Sequence, residues 1–189
     1  MTDATSKSAP HDARGVANLL LFFAAEAGVA LTNLSLQKLV YFAHGLMVVR
    51  HGRPLVDGYF EAWEYGPVHP LLYASFKSAG RGVLTQRAVK RDLRTGVTQV
   101  AAPPEDPESR AVVEDVFRAL GRQSSTRLVN LSHAKGGPWH EVVNESGTRA
   151  GLGLRISDMV IKQRFHRHLI SIGAADEREG VAFDEIPPA

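Results

Sequence analysis

The chain has 189 residues, 44% of them apolar, a formal net charge of +2 and no cysteine. That length and apolar share suit one globular domain with loose ends and a sizeable buried core. The absence of cysteine excludes disulfides, Cys-ligated zinc and thiol nucleophiles. No apolar run approaches the roughly 20 residues of a spanning helix. The longest, residues 17–31, is broken by Glu26 and Gly28 and reads as a core helix. The opening MTDATSKSAPHDARG lacks the basic and apolar regions of a signal peptide, so a cytoplasmic location is expected.

Residues 1–11 are polar and are expected to be disordered. A first helix is predicted from the N-cap Asp12 to Ala27, with Val16, Leu19, Leu20, Phe23 and Ala27 on one face. A second is predicted over Ser35 to His51, its stripe Leu36, Leu39, Val40, Ala43 and Met47, with Gly52 at the stop. RPLVDGYFEAWEYG suits one or two short extended pieces. Pro67 is predicted to open a third helix, with Pro70 still in its first turn. Residues 82–100 alternate weakly and suit a small hairpin. Acids lead into a helix from Pro107 to Leu120, where negative charge suits the positive end of the dipole. A short helix follows from Ser124 or Ser125 to His133, and Pro138 restarts a helix beside Trp139. A last helix from Ser157 carries Ile161, Phe165, Leu169 and Ile172 inward. The expected fold is mainly α, a compact domain of about six helices with a small β hairpin element. It occupies residues 12–172, before an acidic flexible tail over 173–189.

Charge is unevenly placed: +4 between Arg81 and Gln99, and −4 in each of 105–115 and 176–185. The basic segment has no interleaved aromatics to stack bases, so nucleic acid is not the expected partner. The sequence contains no metal-ligand spacing, Walker A loop, dinucleotide fingerprint or nucleophile elbow, and no cofactor is expected. His166 and His168 are two apart on a predicted helix and point away from each other. Glu61, Glu64 and His69 could serve a small hydrolase or nuclease, although carboxylates three apart on a strand face opposite sides. Two aromatic corners stand out, EAWEYGPVHPLLYASF and LSHAKGGPWHEVV, each joining a tryptophan to a Gly-Pro break. Their rings could anchor loops to the core or present a docking face.

LQKLVYFAHG at 36–45, RPLVDGYFEAWEYGPVHPLLYASFK at 53–77 and LVNLSHAKGGPWHEV at 128–142 together resemble the Panacea, or SocA-type, antitoxin domain family. The resemblance covers residues 12–172 and rests on the order of all three blocks. It implies a cytoplasmic bacterial or phage protein, not an enzyme, that binds a cognate protein toxin encoded by an adjacent gene. SocA-type members resemble proteolytic adaptors that hand the toxin to ClpX of the ClpXP protease, whereas other members act by complexation alone. Trp63, Tyr65, His69, Tyr73 and Trp139 are the expected partner-binding residues.

Overall fold

The computed structural model describes residues 10–145 and 153–168. Seven α-helices are found among them: α1 (Ala13–Glu26), α2 (Asn33–His51), α3 (Pro70–Phe76), α4 (Pro107–Leu120), α5 (Ser125–Ser132), α6 (Pro138–Glu145) and α7 (Asp158–Arg164). Five short strands join them: β1 (Phe60–Trp63), β2 (Gly66–Val68), β3 (Val89–Arg91), β4 (Thr98–Val100) and β5 (Arg155–Ile156). The mainly helical class with small antiparallel sheets is as expected.

Local signals set most helix ends. Asp12 caps α1 by accepting from the Arg14 N–H at 2.9 Å, and Ser124 and Ser157 cap α5 and α7 in the same way. At α2, Thr32 and Ser35 form a reciprocal capping box, and Gly52 closes the far end. His11 is tied in as well: its N–H donates to the Leu55 carbonyl and its own carbonyl accepts from Asp57 N–H. The predicted loose N-terminal segment lies mostly, and the acidic tail entirely, outside the described residues.

Helix α2 is the hub. A single apolar stripe was expected, yet the helix is buried on nearly every side, including Gln37, Lys38 and His44. It packs against α1, α3, α4, α5, α7 and β2. Tyr41 meets Phe60, Phe165 and His168, and Phe42 meets Phe165 and His168, edge to face with centroids 5.4–6.4 Å apart. Gly45 lies so close to Phe165 that any side chain there would overlap the ring.

One predicted boundary moves. Pro67 does not open α3; it sits in β2, opposite Ala62 of β1, and α3 begins at Pro70. β2 is an edge of the β2-β1-β5 sheet, where a residue without an N–H is tolerated. Either proline satisfies the first-turn rule, so spacing alone could not choose. The 82–100 hairpin forms as expected, with Val89 opposite Val100 and Arg91 opposite Thr98.

Candidate functional site

The two aromatic corners meet. β1 and β2 form a tight antiparallel pair with Trp63 opposite Gly66, and the second corner folds against it. Trp139, at the start of α6, donates its indole N–H to the Trp63 carbonyl at 2.8 Å and stacks on His133 with centroids 3.8 Å apart. Trp139 is thus a half-buried anchor rather than a displayed ring.

The LQK segment of α2 holds the corner from beneath. Gln37 Oε1 accepts from the His69 backbone N–H at 2.9 Å, and Lys38 Nζ donates to the Pro67 carbonyl at 2.9 Å. Both side chains are buried, Lys38 completely. Burial without a counter-charge lowers the Lys38 pKa to about 7. Gly66 has φ +91°, and a Cβ there would run into Ser132 Oγ and, at 3.1 Å, Lys38 Nζ. Ser132 Oγ donates to the Val129 carbonyl, fixing it against the glycine. One residue from each of the three sequence blocks therefore closes a single buried knot: Lys38, Gly66 and Ser132. Of these the resemblance drew attention to the motifs but not to their role, because a lysine in a helix ordinarily reads as surface.

His69 is buried. Its Nε2–H donates to the Asp57 carbonyl at 2.7 Å, leaving Nδ1 buried and without a partner among the described residues. Burial depresses its pKa, so the ring is neutral near pH 7. It faces Phe60. Glu61 points to the other side of β1, where it accepts from the Trp63 indole at 2.7 Å, and Glu64 lies exposed in the turn. The three groups offered for hydrolysis are thus divided between two faces and a loop.

What the corner displays is aromatic. Tyr65 and Tyr73 are 36% and 39% exposed, and Tyr73 packs on half-buried Trp63 with centroids 4.9 Å apart. Tyr59, before β1, carries the Arg155 guanidinium at 3.9 Å and, with Leu71, walls a shallow pocket of about 190 Å³. Of the five expected contact residues, Tyr65 and Tyr73 are exposed, Trp63 and Trp139 are half-buried, and His69 is buried. Tyr59 and Leu71 were not singled out from the sequence, since an isolated exposed aromatic or leucine carries no periodic signal.

No helix among the described residues is long and apolar enough to cross a membrane. The family described as "Antitoxin SocA-like, Panacea domain" matches residues 36–140, the stretch from Leu36 of the hub helix to His140 beside Trp139. The chain is 47% identical over 178 residues to "Antitoxin SocA" of Caulobacter vibrioides (strain NA1000 / CB15N), covering 94% of each. No solved structure matches it. With the matched region containing the whole knot, the first corner and the second as far as His140, the chain belongs to the SocA-like, Panacea-domain antitoxin family.

Proposed function

We propose that this protein is an antitoxin that binds a cognate protein toxin through the aromatic corner and delivers it to the ClpXP protease. The observation that carries the binding face is the pairing of exposed Tyr65 and Tyr73, with half-buried Trp63 against Tyr73, and a rigid buried support. Binding energy at interfaces concentrates in a few aromatic anchors, and anchors already held in place lose little entropy on docking. The relative's name, an antitoxin, supports a toxin as the partner. The delivery step rests on the likeness to SocA-type members. In that step the chain makes and breaks no bonds; it raises the local concentration of cargo at the protease.

The test is co-expression with the product of the adjacent gene, scoring growth rescue and co-purification. Replacing Tyr65 and Tyr73 together with alanine should weaken the complex at least about 30-fold, a loss of about 2 kcal/mol, with little change in Tm. Deleting Asp176–Ala189 distinguishes delivery from complexation alone. Toxin that stays bound but is no longer degraded supports delivery through the tail. Undiminished degradation or lost binding would refute that division. Turnover of a metabolite or polynucleotide that disappears in Glu61→Gln would replace the antitoxin reading with an enzyme.

A further inference from the structure

The β3–β4 hairpin stands out from the helical body as a basic and apolar face. Its root is rigid: Asn18 of α1 donates to the Ala88 and Ala101 carbonyls at 3.0 and 2.8 Å and accepts from Ala88 N–H at 2.8 Å. Arg14 adds a bond to the Val89 carbonyl. Above this root Val89, Val97 and Val100 are about half exposed and Leu93 is 97% exposed. Arg87, Arg91 and Arg94 are exposed with no carboxylate within 4.0 Å among the described residues, and Lys90 is exposed at a longer range from Asp12 and Asp92. Many cations elsewhere are compensated: Arg14 by Asp12, Arg50 by Asp115, Arg53 by Asp106 and Glu108, Arg118 by Glu114.

Between the hairpin and α1 lies a cleft of about 220 Å³, walled by Leu19, Phe22 and Val100, with Arg87 and Arg110 also lining it. Its size and walls suit one aromatic side chain, and its cations suit carboxylates flanking that ring. An exposed apolar strand pair of this kind is ordinarily covered. The chain itself carries a complementary segment, DEREGVAFDEI at 176–186, with five acids against one arginine and Phe183 next to Asp184 and Glu185. Phe183 is 15 residues beyond His168, a contour of up to about 50 Å, against a radius of gyration of about 15 Å for a domain of this size. Reach therefore permits the contact, and a tether of that length supplies the tail at roughly millimolar effective concentration.

We propose that residues 176–186 dock on the hairpin face, with Phe183 in the cleft and the neighbouring carboxylates against the hairpin cations. The contact is intramolecular and does not depend on the antitoxin reading. Amide hydrogen exchange of residues 86–101 tests it in the full chain, in Phe183→Ala and in a chain ending at Ala175. Exchange should be about fivefold slower in the full chain than in both variants, and 0.5 M salt should remove the difference. Arg87→Glu with Arg91→Glu should mimic truncation, and adding Asp184→Arg with Glu185→Arg should restore protection. Equal exchange in all three chains overturns the proposal. So does protection that grows with protein concentration, which would assign the face to a second copy, or exchange that slows only when single-stranded DNA is added.

Discussion

Lys38 shows what one residue does here. Its amine has left water to meet the Pro67 carbonyl, with no carboxylate beside it among the described residues, so burial lowers its pKa from 10.5 to about 7. An unfolded chain holds the proton up to about pH 10, whereas the folded chain releases it near 7. Between those limits the unfolded state binds more protons, so stability rises with pH. The gain is complete above the ordinary lysine range and absent once pH falls below about 7. Urea unfolding should therefore show about 2 kcal/mol more stability at pH 9 than at pH 7, and Lys38→Met should flatten that rise. An unchanged slope in the variant would mean that another group sets it. Gln37, one position earlier, contributes through geometry alone, since it carries no charge.

At the scale of elements, the β1–β2 turn and the C-terminal end of α5 depend on each other through Gly66. Two glycines separate the causes. Gly52 has φ +68° with nothing within 4 Å of its missing Cβ, so alanine there meets backbone cost alone, about 1 kcal/mol. Gly66→Ala meets a similar backbone cost plus overlap with Ser132 and Lys38, and should lose about 3 kcal/mol or more. Thermal unfolding of the two variants checks the difference. Because the glycine follows Tyr65 directly in the β1–β2 turn, the same substitution should also weaken the proposed toxin binding, while Gly52→Ala leaves it intact. Helix ends were legible in sequence where a cap residue met a periodic stripe, as at Asp12, Ser124 and Ser157. The β2–α3 boundary was not, because Pro67 and Pro70 are equally acceptable at a first helical turn and only pairing with β1 distinguishes them.

Across the molecule, the residues before the tail close the core with a histidine. His168 is buried, shares a 3.0 Å hydrogen bond through Nε2 with the Tyr41 hydroxyl, and packs on Phe42 and Phe165. Burial lowers its pKa to about 4, and that of His133, under Trp139, to about 4 as well. Both rings would gain protons near 6.5 in the unfolded chain and only near 4 in the folded one. Their contribution to stability is thus complete above pH 6.5 and lost as pH falls through 4. The protein should unfold cooperatively on acidification between those values. His168→Phe should be less stable at pH 7 by about 1–2 kcal/mol, since the Tyr41 hydroxyl loses its partner, yet should lose less on going to pH 4.5. Circular dichroism at the two pH values reads both effects.

The order of three motifs was enough to suggest the family and the helical class, and patterning with caps located nearly every helix. These properties are local: periodicity, caps and glycine stops act within a few residues and can be read one segment at a time. The sequence could not say that α2 lies at the centre, because its buried glutamine, lysine and histidine resemble surface residues until their partners 12–114 positions away are known. Nor could it separate displayed rings from anchors among Trp63, Tyr65, His69, Tyr73 and Trp139. Exposure is decided by which elements pack over a side chain, and that is a property of the assembled fold.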